Sequence, residues 1–218
     1  LTVIFTLALG LAISLFLFAQ VYSMGYKSLP FKDGDRIVRI SREESNFQPT
    51  LGGLGQYDAA QFFKQQNTLD QFSVFELGGF VVATDNYTER FAGARVAGPF
   101  FDLSGVDALL GRTLNAKDSE PGNNQVAVIS FNLWKQLFSQ DTSVLGSVVR
   151  IGGSSRKIVG VMPEGYRFPV AQDVWIPYQH LNVETPNGEG WVSGIGKLKA
   201  GISVAQAEDN FISMAKDI

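Results

Sequence analysis

The residues able to do chemistry are few, and the single histidine, His180, comes first. A Ser-His-Asp triad would have to use it, but it follows Pro177-Tyr178-Gln179 and no G-x-S-x-G turn occurs anywhere. It reads as a loop histidine. A metal site built on imidazoles needs at least two, and no run of acids resembles an EF-hand loop. The tightest carboxylate pairs are Glu43-Glu44 and Asp118/Glu120. Glycoside hydrolysis needs two carboxylates facing each other across a cleft. Neighbours on a strand end, such as Glu43 and Glu44, point to opposite faces, and Asp118 and Glu120 fall in a polar loop. Both pairs are expected to be solvated surface.

Glycine-rich stretches raise phosphate binding. Gly194-Ile195-Gly196-Lys197 comes nearest, but a P-loop needs glycine where Trp191 stands and Ser or Thr where Leu198 stands. Gly152-Gly153 sits at a hairpin tip with no helix after it. With no cysteine there is no disulfide framework and no thiolate metal or redox site. A net charge of −3 argues against nucleic acid, which asks for a basic stripe. The expectation is no catalytic, cofactor-binding or metal-binding residue, and no enzyme activity in this chain by itself.

The segment that positions everything else is Leu1 to Met24, LTVIFTLALGLAISLFLFAQVYSM, which holds no Asp, Glu, Lys or Arg. As a helix it would extend roughly 36 Å, against about 30 Å of bilayer hydrocarbon. A signal peptide has a shorter apolar region, a basic start and a small-residue cleavage site, none of which is visible here. Residues 1–24 are therefore predicted to be a transmembrane helix, and 25–34 a neck. Thr6, Gly10 and Ser14 recur every fourth residue: either a face for another membrane helix, or a chance recurrence. Gln20 falls near the interface. Lys27 and Lys32 alone cannot set orientation, because the rule compares both flanks. A chain beginning with Leu is expected to continue upstream.

Beyond the neck, DRIVRISR (35–42) reads as a strand and 45–55 as a loop. Residues 56–67 read as a helix burying Ala59, Ala60 and Phe63. Phe72–Phe75 and Gly79–Thr84 read as two strands, and Tyr87–Val96 as their return. Asn86-Tyr87-Thr88 fits a glycosylation sequon but reads as a hairpin tip. A short aromatic helix follows within 99–107, then the polar loop 114–125. Val126–Ser130 reads as a strand and Asn132–Ser139 as a helix burying Leu133, Trp134, Leu137 and Phe138. A hairpin is expected over 144–162 and a strand at Val174–Ile176. Residues 185–190 read as a loop, and Trp191–Lys199 as a strand. The last helix opens on the capping box Ser203-x-x-Gln206, with Ala205, Phe211, Ile212 and Ala215 inward. The pattern is α+β with a β-rich middle.

The blocks GARVAGPFFDLSGVDALLGRTL (93–114), VAVISFNLWKQLF (126–138), DTSVLGSVVRIGGSSRKIVGVMPEGYRFP (141–169) and VWIP (174–177) stand in that order. GKLKAGISVAQAE (196–208) follows, and TLALGLAISLF with LPFKDGDRIVRI precedes. Together they resemble the extracytoplasmic core domain of MacB-type, FtsX-like ABC transporter permeases, over essentially the whole chain. Within them Gly111 suits a turn that strains other residues. Pro163 stops a ladder it cannot donate to, and Trp134, Phe168 and Trp175 are core anchors.

The resemblance implies a two-part α+β fold after the transmembrane helix. Residues 35–105 and 191–218 would form a discontinuous porter-like α+β subdomain, and 106–190 an inserted β-rich subdomain. It implies a cytoplasmic-membrane protein whose folded domain is periplasmic or extracellular. That domain would couple ATP hydrolysis on a separate domain or subunit to export or envelope remodelling. Implied partners are a second permease copy, the ABC ATPase, the remaining transmembrane helices and, in some members, a periplasmic adaptor. The alternative is a membrane-tethered binding or sensing module without transport. A membrane-anchored hydrolase built on His180 or an acidic pair is the weakest reading. No motif selects a cargo.

Overall fold

The computed structural model describes residues 5, 9–18, 31–41, 53–84, 87–179 and 190–217. The chain divides into two compact units, Leu1–Pro30 and Phe31–Ile218. In the first, residues 9–18 form helix α1, whose side chains are exposed on every side. Ten helical residues extend about 15 Å, and no helix among the described residues is long and apolar enough to cross a membrane. Thr6, Gln20 and the neck residues 25–30 lie outside the described residues.

In the second unit, a 3-10 turn (Gly34–Arg36) leads into β1 (Ile37–Ile40). The short β2 (Leu54–Gly55) then leads into helix α2 (Gln56–Gln65). Next come two long strands, β3 (Leu69–Ala83) and β4 (Thr88–Ala97). The sequence expectation of two strands where β3 stands is corrected: Gly78 and Gly79 do not interrupt it. Opposite them stand Gly93 and Ala92, and one unbroken partner strand supplies the hydrogen bonds that two glycines alone would not hold.

Antiparallel β1, β10 (Trp191–Leu198) and the first half of β3 lie side by side. Helices α2 and α5 (Val204–Asp217) cover them. Their shared core contains Ala59, Phe62, Leu69, Phe72, Val74, Val192, Leu198, Ala207 and Met214. Phe62 meets Phe211 edge-on at 4.9 Å. The capping box forms as expected: Ser203 N donates to Gln206 Oε1 at 2.9 Å and Gln206 N to Ser203 Oγ at 3.3 Å. The inward face of α5 differs from expectation. Ala207 and Met214 are buried with Phe211 beside them, while Ala205, Ile212 and Ala215 are exposed. Contact with α2 selects the face, and the helix's own sequence carries two comparable apolar stripes.

After β4 come α3 (Phe100–Ser104), β5 (Leu110–Gly111), β6 (Val126–Ile129) and α4 (Phe131–Phe138). Then follow β7 (Val148–Ile151), β8 (Ser154–Val161) and β9 (Val174–Pro177). The pairings β3-β4-β9-β6-β8-β7 return to β3, so these strands close into a small barrel. Each contributes to one interior cluster: Phe80, Val82, Phe91, Ala127, Ile129, Val149, Ile151, Ile158, Val161, Val174 and Ile176. Closure leaves no free edge within the ring. Helix α4 plugs one end with Leu133 and Trp134, and begins at Ser130, whose Oγ accepts from Leu133 N at 3.0 Å. β7 turns into β8 through Gly152-Gly153, both with positive φ, the two-residue turn that fits strand twist. Gly111 is demanded by more than its φ of +70°: a Cβ there would collide with the Val159 carbonyl on β8.

A second layer, almost wholly aromatic, covers the outside of β4 and β9. Phe101 stacks on Tyr166 at 6.1 Å, Tyr166 meets Trp175 at 5.5 Å, and Phe100 meets Phe75 and Phe168 at 6.0 and 5.0 Å. Trp175 is fully buried, and its indole N–H donates to the Phe168 carbonyl at 3.0 Å.

Candidate functional site

The start of β1, the end of β10 and the start of β3 meet at one edge of the sheet, because Ile37 pairs with Lys197 and Leu198 with Leu69. The chain enters the fold at this edge from its N-terminal side, and leaves β10 here toward α5. Side chains tie the three strand ends together. Arg36 Nε donates to the Leu198 carbonyl at 2.9 Å, and Arg36 Nη2 reaches both that carbonyl and Asp70 Oδ2, the latter at 2.6 Å. Lys197 Nζ donates to Asp33 Oδ2 at 2.9 Å. That hydrogen bond, then the Lys197 charge, holds the Asp33 carboxyl below its ordinary value.

Two further contacts complete the junction. Lys199 Nζ donates to the Asn67 carbonyl at 2.6 Å, just ahead of β3. Phe31 places its ring edge-on to Phe168 at 5.4 Å and 6.3 Å from Tyr166, so the entering chain also grips the aromatic layer. These ion pairs lie at the surface, where solvent screening leaves them little weight in overall stability. Their value is directional: a pull at Phe31 or beyond Leu198 is shared by three strands instead of peeling one.

Of the residues considered for chemistry from sequence, Asp118, Glu120 and the glycine stretches fall among the described residues. Asp118 is corrected from solvated to buried. It is only 5 % exposed, and Arg112 grips it with both terminal nitrogens at 2.6 and 2.8 Å. Asp118 also accepts from Asn115 N at 2.8 Å, closing a capping box on the turn Ala116–Ser119. The hydrogen bonds that Arg112 itself donates to the Asp118 carboxylate, above all, raise the Arg112 pKa. Glu120 is exposed. Gly194 and Gly196 lie inside β10, where a Cβ would press on the Ile40 and Gln71 carbonyls, so they serve close strand packing. Glu43, Glu44, Asn86 and His180 lie outside the described residues. Among the described residues no three His, Asp or Glu side chains converge as a metal site. Sequence reading missed Asp33, Arg36, Asp70 and Lys197, whose only signal was charge at the ends of apolar strand runs.

The chain also has known relatives. It is 29 % identical over 117 residues to the macrolide export ATP-binding/permease protein MacB of Shigella dysenteriae, covering 52 % of this chain. Against the same-named protein of Salmonella paratyphi A the identity is 31 % over the same length. The match spans 18 % of those relatives' length.

Two solved structures share the fold. The extracellular domain of the noncanonic ABC-type transporter YknZ from Gram-positive bacteria aligns with a TM-score of 0.62 at 16 % identity, over 83 % of this chain and 91 % of that one. The periplasmic region of MacB from Actinobacillus actinomycetemcomitans aligns with a TM-score of 0.64 at 16 % identity, over 83 % and 81 %. The description of the MacB-like periplasmic core domain matches residues 1–213, and the chain belongs to that family.

Proposed function

We propose that this chain is the extracytoplasmic domain, with first membrane helix, of an ABC-type permease in the cytoplasmic membrane, its folded part facing the periplasm or exterior. The observation that carries this is the family match across residues 1–213, which takes in the apolar N-terminal segment as well as the fold. Residues 1–24 would be the anchor, since α1 exposes apolar side chains all round as a lipid-facing helix does. The domain would pass movement of membrane helices outward for export or envelope remodelling. It would hydrolyse nothing itself, relying on an ABC ATPase domain or subunit. A second permease copy, the other membrane helices and, in some systems, a periplasmic adaptor would complete the assembly.

The two-part division at 35–105 plus 191–218 and 106–190 is part of the same reading. One apolar cluster gathers α2, α5 and β10; the other gathers α4 and the barrel strands, to which residues 35–105 lend β4 and the second half of β3. β3 runs through both, so it would be the lever between them. The junction of Asp33, Arg36, Asp70 and Lys197 would be where the lever is gripped.

These 218 residues hold no cysteine, so once any cysteine elsewhere in the full-length protein is replaced the test is direct. Ser155, exposed on β8, is replaced by cysteine in the full-length protein. In cells with an intact cytoplasmic membrane, a membrane-impermeant maleimide is expected to label Ser155→Cys. Labelling only after that membrane is broken would overturn the placement. A fluorophore on the same cysteine should respond to ATP in the purified complex. With Arg36→Gln the response should fall while ATP hydrolysis continues, and an unchanged response would refute the gripping role.

A further inference from the structure

Helix α4 plugs one end of the barrel. At the other end two arginines point toward the interior side. Arg156 stands opposite Val149, an interior residue, in the β7–β8 pairing, and cross-strand partners share a face. Arg95 has its guanidinium 5.1 Å from the ring of Phe80, another interior residue. Both lie away from α4: Arg156 reaches Asn124, ahead of β6, whereas α4 follows the far end of that strand.

The two cations are not treated alike. Arg95 pairs with Glu76, directly opposite on β3, at 3.1 Å, and both side chains reach solvent. Arg156 is 6 % exposed, and among the described residues no carboxylate lies within salt-bridge distance of it. Its sole hydrogen bond among the described residues goes from Nη1 to the Asn124 carbonyl, and its Nε–H is buried with no partner. Burying a cation with no counter-charge costs several kcal/mol, and an orphaned donor adds to that cost. Burial, then the neighbouring Arg95 charge, lowers its pKa from the ordinary value. A fold seeking only stability would place an apolar side chain here.

We propose that this end of the barrel binds a small oxyanion, a carboxylate or phosphate group, between Arg156 and Arg95. The anion would supply the missing counter-charge, accept from the free guanidinium N–H groups, and relieve the repulsion between the two cations. The planar donor fork of arginine suits such groups. Glu76 would bound the site on its solvent side, favouring a single compact anion over an extended acidic polymer. Barrel mouths are among the places where small ligands are held. The site stands on geometry within the barrel and does not rest on the transporter reading.

The test is thermal unfolding of the full chain in detergent with inorganic phosphate, acetate or chloride at matched ionic strength. Phosphate or acetate is expected to raise the midpoint in a saturable way and chloride not to; which of the two acts tells phosphate from carboxylate. Arg156→Met should weaken the apparent affinity at least tenfold, as loss of a charged hydrogen bond does, and raise the midpoint without anion. Arg95→Gln, at a half-exposed position, should also weaken binding and keeps the test alive if Arg156→Met does not fold. Equal response to all three salts, an unchanged affinity in the variants, or a lowered anion-free midpoint in Arg156→Met would each overturn the proposal.

Discussion

Removing the Asp118 carboxylate tests whether a polar loop is held by a buried ion pair. In Asp118→Ala, Arg112 loses both hydrogen bonds to that carboxylate, and the Asn115 N–H loses its acceptor. Breaking a buried pair costs about 3–5 kcal/mol. The Arg112 side chain is 46 % exposed and can rehydrate, so roughly 2 kcal/mol is the better figure here. Loss of the cap adds about 1 kcal/mol. The sum, about 3 kcal/mol, corresponds to a midpoint lowered by roughly 6–12 °C for a domain of this size. Asp118→Asn keeps the cap acceptor and should lose only about 2 kcal/mol.

Urea unfolding of both variants, in a double-mutant cycle with Arg112→Met, measures the coupling. The deficit should persist in 0.5 M salt, because a buried pair is poorly screened. Losses under 1 kcal/mol, no coupling to Arg112, or a deficit erased by salt would refute the reasoning and restore Asp118 to the solvated surface.

Gly93→Ala should cost about 2–3 kcal/mol by urea unfolding, because a Cβ there collides with the Phe80 ring and comes within 2.8 Å of the Val174 carbonyl. Ser130→Ala should cost about 1–2 kcal/mol, since that hydroxyl caps α4 and donates to Asp173 at 2.7 Å. Asp33 has a lowered native pKa against an ordinary 3.8. Its contribution is therefore present above that value and lost as pH falls through the lower native one. Unfolding followed across this acid range should show that dependence in the wild type and less of it in Lys197→Met. A dependence unchanged by that substitution would assign it to other carboxylates.

The features legible in the sequence were those set by neighbours in the chain. The Ser203–Gln206 cap, the Gly152-Gly153 turn, the apolar face of α4 and the apolar N-terminal run each depend on residues a few positions apart. Side-chain period and backbone freedom are encoded there directly. Ordered blocks of such features made the family resemblance visible.

Tertiary structure decided what depends on residues distant in the chain. Glu76-Leu77-Gly78 fell between two expected strands until Arg95, Ala94 and Gly93 were laid opposite. The choice of face on α5 followed from contact with α2. Asp118 changed from solvated to buried because Arg112 and the surrounding loop enclose it. The grip on the strand ends joins Asp33 to Lys197 and Arg36 to Leu198, more than 160 positions apart. Barrel closure likewise brings Arg156 near Arg95. Burial and pairing belong to places in space, and a linear sequence does not state which residues will share one.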